Sequence, residues 1–106
     1  MKVYIAHSEQ DDNPYSITAN RSIAEQKRDE ILDFPYEGVI SEQEVEFTSE
    51  PIFAVIHGEY DCSYVESLHM DYNSARNSIP KGEEYAYHIT EWQNGELINK
   101  ICVEEE

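Results

Sequence analysis

Glycine and basic residues are scarce in this chain, and each scarcity excludes a class of function. Only four glycines occur, so the chain has no glycine-rich loop to hold a phosphate group. Seven lysines and arginines are too few for the basic surface that DNA, RNA or anionic lipid requires. We therefore expect no direct binding to nucleic acid or to a membrane.

Long apolar runs and a cysteine framework are also missing. No apolar stretch approaches the ~20 residues of a membrane-spanning helix. The two cysteines, Cys62 and Cys102, stand far apart in the chain, which is typical of reduced thiols in the cytosol. Met1 leads directly into an apparent strand without a signal peptide, so the expected location is the cytoplasm.

Acidic residues dominate what is present. Aspartate and glutamate number 23, which gives a net charge of −16 over 106 residues, and they are spread through both halves. The apolar content of 40% is enough for a modest core, so we expect a single domain, 1–106. Such a charge favours binding to a basic partner or a cation. It also opposes self-association, so the expected state is a monomer or a homodimer.

The pattern of apolar residues predicts an α+β fold, with a mainly antiparallel sheet of six or seven strands and two helices. A Ser-x-x-Glu capping box at Ser22 and Glu25 predicts the start of the first helix, whose apolar stripe runs from Ile23 to Leu32. Asn94-Gly95 predicts a tight C-terminal hairpin. The pattern leaves open whether the strands form one sheet or two facing sheets. Strands are predicted at 2–8, 15–19, 39–48, 52–59, 63–69, 85–92 and 97–103, and a second helix at 71–79.

The order of these elements repeats after about fifty residues. Residues 1–49 and 50–106 each read strand, strand, helix, strand, and the second half adds one final strand. Residue matches support the alignment, since His7-Ser8-Glu9 corresponds to His57-Gly58-Glu59 and Ala24 to Ala75. We interpret the halves as a tandem duplication of one β-β-α-β unit.

Glu42, Glu44 and Glu46 form the most informative group of charges. On a strand, alternate residues share a face, so these carboxylates are expected about 6.7 Å apart. That spacing is about twice the ~3.4 Å rise per phosphate along one DNA strand. Together with Glu83 and Glu84, they are the predicted contacts to a basic partner, although a row of acids also serves to keep a sheet edge solvated.

A second pattern, His-x-Glu-x-Asp, occurs twice and suggests an alternative function. His7 and Glu9 in one copy, and His57 and Glu59 in the other, have side chains that suit a cation such as Zn²⁺ or Mn²⁺. The same residues equally mark the end of a strand and the start of a solvated turn. This alternative is a small cation- or ligand-binding module; otherwise we predict no metal and no cofactor.

Catalytic motifs are not found in the sequence. No Gly-x-Ser-x-Gly segment occurs, and no local motif joins a cysteine to any of the four histidines, so we do not expect an enzyme. Tyrosines cluster in the second half, and both partner contact and sheet packing suit them. Tyr85 and Tyr87 share a predicted strand face with Ile89 and are expected in the core.

In size, acidity and predicted α+β fold, the chain resembles phage-encoded acidic inhibitors of the DNA-mimic anti-restriction and anti-CRISPR type. The resemblance covers the whole chain in composition and length and rests on no shared motif, so it transfers no functional residue. It implies a protein-binding inhibitor that occupies the basic nucleic-acid-binding groove of a partner protein, in the role of a phage counter-defence protein.

Overall fold

The computed structural model describes residues 1–58 and 63–103 and has the α+β architecture expected from the sequence. Among these residues, no helix has the length and apolar content needed to cross a membrane. The seven strands are β1 (Lys2–Ser8), β2 (Ser16–Thr18), β3 (Gly38–Glu44), β4 (Ile52–His57), β5 (Tyr64–His69), β6 (Tyr87–Gln93) and β7 (Glu96–Cys102). The two helices are α1 (Arg21–Asp29) and α2 (Tyr72–Asn77).

The strands form two antiparallel sheets, which answers the question that the sequence left open. The first sheet has the order β2-β1-β3 and the second the order β5-β4-β6-β7. In each half, the first strand lies at the centre between the second and the third strand of that half. The two halves therefore share one topology, and β7 is the additional strand of the second half.

Alternation of side chains along the strands produces four layers, in the order helix, sheet, sheet, helix. Val3 and Ile5 of the first sheet belong to one buried cluster with Ile52 and Trp92 of the second sheet. The opposite face of β1 carries Tyr4, over which the guanidinium group of Arg21 in α1 lies.

The outer face of the second sheet is covered by α2. Ala75 and Ile79 form a second buried cluster there with Val55 and Ile89. Both helices thus bury small or aliphatic residues against the strand positions that the inter-sheet core does not use.

The predicted hairpin at Asn94-Gly95 is confirmed. Asn94 has a φ of 53° and Gly95 a φ of 81°, as a type I′ turn between two antiparallel strands requires. The turn joins β6 to β7 and, as described below, also contacts the first half of the chain.

The predicted start of α1 is wrong by two residues. Asn20, and not Ser22, is the N-cap, because its side-chain oxygen accepts hydrogen bonds from the backbone amides of Ser22 and Ile23. Glu25 does not complete a capping box and pairs instead with Arg21 one turn away. Asparagine is among the best N-cap residues, which accounts for this helix start.

Two predicted core residues are exposed. Leu32 is 95% exposed, because α1 ends at Asp29 and the apolar stripe does not continue past it. Tyr85 is 66% exposed, because it lies in a single 3₁₀ turn (Glu84–Ala86) that precedes β6. Tyr87 is buried, as predicted.

The third strand is shorter than the predicted 39–48. It pairs with β1 from Ser8↔Gly38 to Lys2↔Glu44. Beyond Glu44, the pairing continues only to Met1, whose carbonyl oxygen accepts from the amide of Val45 and whose N-terminal ammonium group donates to the carbonyl oxygen of Val45 at 2.7 Å. The strand therefore ends where its partner strand begins.

Candidate acidic interface

The predicted row of three carboxylates is only partly retained in the fold. Glu42 and Glu44 lie on β3, at the edge of the first sheet, and share one face of the strand. Glu46 lies beyond the end of β3, so the regular spacing of alternate strand residues does not extend to it. The expectation of a three-carboxylate row on one strand is corrected to a pair followed by a bend.

Lys2 lies opposite Glu44 in the ladder, but the ion pairs are formed by Glu42. Its carboxylate lies 3.3 Å from Nη1 of Arg21 and 3.7 Å from Nζ of Lys2. Ion pairs between exposed groups such as these contribute little to stability, but they place positive charge beside the carboxylate. Glu42 is therefore less suited to receive a further cation than Glu44.

Four of the seven basic residues are used in ion pairs on the α1 side of the first sheet. Lys2 and Arg21 pair with Glu42, Lys27 pairs with Glu30 and Glu96, and Arg28 pairs with Asp29. More than half of the basic residues thus lie on this side of the molecule.

An open groove of about 830 Å³ lies between the segment that follows β3 and the edge of the second sheet. Its floor is apolar, formed by Val45, Phe47 and Leu68, which pack against the inter-sheet core. We call it the acidic groove, because its other lining residues include Glu44, Glu46, Glu50 and Glu66. No lysine or arginine is among the described residues that line it.

Glu50 lines this groove and has one buried carboxylate oxygen. Its Oε1 atom is shielded from solvent and has no hydrogen-bond partner among the described residues. A buried carboxylate oxygen without a donor costs free energy, because the group has lost its water without replacement.

His69 also lines the acidic groove but contributes no positive charge at neutral pH. Its two ring nitrogens lie within 2.8–2.9 Å of the hydroxyl oxygens of Ser67 and Ser74. Burial lowers the pKa of His69 below its usual value of 6.5, against a weaker opposing effect of Asp71. The groove therefore keeps its negative charge at physiological pH.

An aromatic cluster extends the acidic surface from Glu66. The ring of His57 stacks on Tyr87 at a centroid distance of 4.3 Å, and its Nδ1 lies 2.8 Å from the hydroxyl of Tyr64. The pKa of Tyr87 is raised mainly by burial and further by the charges of Glu66 and Glu83. Glu66, which lines the groove, lies 3.7 Å from Nδ1 of His57.

The groove brings together two of the five predicted contact residues. Glu44 and Glu46 line it, together with Glu66, which the sequence analysis did not single out. Glu84 is engaged locally, because it accepts a hydrogen bond from the amide of Gly82 at 2.9 Å.

Glu66 was not among the predicted contact residues, because its position depends on a β-bulge. Val55 pairs with Ser67 and Ile56 with Val65, so Glu66 is the extra residue of β5 and lies outside simple alternation. The sequence allows Glu50 to extend the row of carboxylates, and the structure places it in the bend just before β4.

The alternative cation-binding residues have local partners. Nδ1 of His7 lies 2.8 Å from the carbonyl oxygen of Ser8, and Nε2 lies 2.8 Å from the hydroxyl of Ser41. Glu9 accepts a hydrogen bond from the amide of Glu37. Glu59, which completes the second copy of the pattern, lies outside the described residues. Within residues 1–58 and 63–103, no three His, Cys, Asp or Glu side chains are grouped to hold a metal ion.

Comparison with protein families, with curated proteins and with solved structures finds no match for this chain. Function is therefore argued from the geometry and charge of the molecule itself.

Proposed function

We propose that this chain is an acidic protein-binding inhibitor that occupies the basic nucleic-acid-binding groove of a partner protein. One observation carries the proposal: four glutamates line a groove in which the described lining includes no lysine or arginine. A surface of this kind is complementary to a partner surface rich in lysine and arginine. On this proposal the chain binds no nucleic acid itself, acts in the cytoplasm and catalyses no reaction.

The groove offers a cationic side chain two kinds of contact. Its apolar floor of Val45, Phe47 and Leu68 suits the aliphatic part of a lysine or arginine side chain. The exposed carboxylates of Glu44 and Glu46 supply acceptors for its charged end.

Competition with nucleic acid follows from the arrangement of the charges. Glu42 and Glu44 are alternate residues of a strand and are therefore about 6.7 Å apart. Glu46 and Glu66 add further carboxylates along the groove. A partner that uses lysines and arginines to follow phosphates would meet carboxylates in their place, and binding would weaken with added salt because screening reduces the attraction.

The first test is capture of the partner. The chain is immobilised, a bacterial lysate is applied at low salt with free polyglutamate to remove general polyanion binders, and bound protein is eluted with duplex DNA. We expect one nucleic-acid-binding protein to be released by DNA. If only the abundant basic proteins that polyglutamate also removes are recovered, the proposal is wrong.

A pair of variants then tests the groove. The groove variant carries Glu44→Gln, Glu46→Gln and Glu66→Gln and should no longer retain the captured protein at the salt concentration that retains the wild type. If the immobilised groove variant still retains some of the captured protein, that protein should elute at a lower salt concentration than it does from the wild type.

A matched control removes the same number of charges elsewhere. The helix variant carries Glu25→Gln, Asp29→Asn and Glu96→Gln, which are ion-paired to the basic residues of α1. It should capture the partner as the wild type does. Equal loss of capture by both variants would mean that net charge alone, and not the acidic groove, binds the partner.

A further inference from the structure

The segment between α1 and β3 exposes two large apolar side chains. Leu32 is 95% exposed and Phe34 is 97% exposed. Folding normally buries side chains of this size, since they are the main source of hydrophobic stabilisation. We call residues 30–37 the anchor loop. Two fully exposed side chains on one short segment are a feature of interaction surfaces rather than of an ordinary turn.

The tip of the anchor loop is held in place by hydrogen bonds. The amide of Tyr36 donates to the carbonyl oxygen of Asp33 at 2.7 Å, which closes a turn around Phe34. The hydroxyl of Ser8, at the end of β1, donates to Oδ2 of Asp33 at 2.6 Å. The turn is thereby fixed to the first sheet.

The base of the anchor loop has a second attachment. The amide of Glu9 donates to the carbonyl oxygen of Glu37 at 2.9 Å, and the amide of Glu37 donates to Oε1 of Glu9 at 3.0 Å. Leu32 and Phe34 are therefore presented by an ordered backbone. Ordering before binding reduces the entropy that association costs, which is a property of good anchor residues.

The charges around the exposed side chains indicate what kind of surface they fit. Glu30, Asp33 and Glu37 flank Leu32 and Phe34 in the anchor loop. An apolar pocket bordered by lysine and arginine complements both the side chains and these acids. A second copy of the chain is a poorer fit, because its net charge of −16 opposes self-association.

We propose that Leu32 and Phe34 are anchor residues that insert into an apolar pocket, bordered by lysine and arginine, on the partner protein. That this partner is the protein bound by the acidic groove rests on the function proposed above. The anchor loop supplies apolar contact that salt does not weaken, and the groove supplies the electrostatic contact.

Site-specific photo-crosslinking tests the proposal without a purified partner. The photoreactive residue p-benzoylphenylalanine is placed at position 34 of the full chain, and the bacterial lysate is irradiated. The matched control places it at position 98, since Ile98 is also exposed, at 53%, but lies on β7. We expect position 34, and not position 98, to crosslink to one protein, at an apolar segment with neighbouring lysines or arginines.

A double variant measures the contribution of the anchors. Leu32→Ala with Phe34→Ala should melt at the wild-type temperature, because both side chains are exposed. It should bind the crosslinked protein at least about thirtyfold more weakly, which is the loss expected from truncating one binding hot spot. The salt dependence of binding should stay that of the wild type.

Three results would overturn the anchor proposal: equal crosslinking from positions 34 and 98, crosslinking to a second copy of this chain, or wild-type affinity of the double variant. A different result overturns the proposed function alone. In that case the crosslinked protein is not displaced by duplex DNA and binds the groove variant as tightly as it binds the wild type. It still binds the double variant, Leu32→Ala with Phe34→Ala, weakly.

Discussion

The hydroxyl group of Ser16 donates a buried hydrogen bond of 2.8 Å to the carbonyl oxygen of Gly95. Ser16 begins β2 in the first half, and Gly95 is the second residue of the β6–β7 hairpin turn in the second half. Beside this bond, Lys27 of α1 pairs with Glu96. The β6–β7 hairpin thus joins the second half of the chain to α1 and β2 of the first half.

Replacing Gly95 by alanine should destabilise the protein by about 2 kcal/mol or more. Its φ of 81° disfavours any residue with a Cβ, and that Cβ would lie 2.6 Å from Cγ2 of Ile23 and 3.0 Å from Oγ of Ser16. The free energy of unfolding, measured with urea, checks this prediction.

Gly82→Ala is the matched control for this variant. Gly82 has a φ of 90°, but a Cβ there would have no atom within 4 Å. Gly82→Ala should therefore lower the free energy of unfolding only by the cost of a positive φ in a residue with a Cβ, about 1 kcal/mol. Equal losses from the two variants would show that the contact between the hairpin and the first half is not tight.

Asn20→Ala should cost about 1 kcal/mol of stability, because it removes the oxygen that accepts from two amides at the start of α1. Ser22→Ala should have almost no effect, since Ser22 is exposed inside the first turn. Thermal unfolding of the two variants compares them directly. A larger loss for Ser22→Ala would support the Ser-x-x-Glu capping box that the sequence suggests.

Thr90→Val should destabilise the protein by about 1–3 kcal/mol. The indole nitrogen of Trp92 donates to Oγ1 of Thr90 at 2.8 Å in the buried layer between the sheets. Valine has a similar shape but no acceptor, so the indole N–H would be left buried without a partner. In a Trp92→Phe background the same substitution should cost less, which urea unfolding of all four proteins would test.

The pH dependence of stability should report on His88. Burial, and more weakly the charge of Lys100, lower the pKa of His88 below 6.5. Below pH 6.5 the unfolded chain binds a proton that the folded chain does not, so the free energy of unfolding falls as the pH decreases through this region. Above pH 6.5 the group has no effect, because it is neutral in both states.

His88→Gln removes this contribution, while the titration of the carboxylates is common to both proteins. The stability of the wild type relative to the variant should therefore decline on going from pH 7 to lower pH. A constant difference between pH 7 and pH 5 would contradict the lowered pKa.

Local patterns were enough to predict the order of the elements, because β-rich segments, turn residues and caps act over a few neighbouring residues. The bounds 2–8 for the first strand and the turn at Asn94-Gly95 are confirmed for this reason. The exposure of Leu32 could not be predicted, since its apolar character suited a continued helix that in fact ends at Asp29.

The candidate site depends on relationships between distant segments. Glu46 leaves the strand only because β1 provides no partner beyond Lys2, and Glu66 is placed by a bulge set by the register with β4. The approach of the segment after β3 to β5 forms the acidic groove, and it follows from the packing of two sheets. A sequence pattern of alternate residues carries none of this information.

The central claim is that the acidic groove competes with nucleic acid for a basic partner surface. The most direct test measures displacement of a fluorescent DNA duplex from the captured partner by the wild type, the groove variant and the helix variant. We predict that the helix variant displaces DNA as well as the wild type, and that the groove variant requires at least about tenfold more protein, with the difference shrinking as salt is added. Displacement by the groove variant at wild-type concentrations would contradict the account.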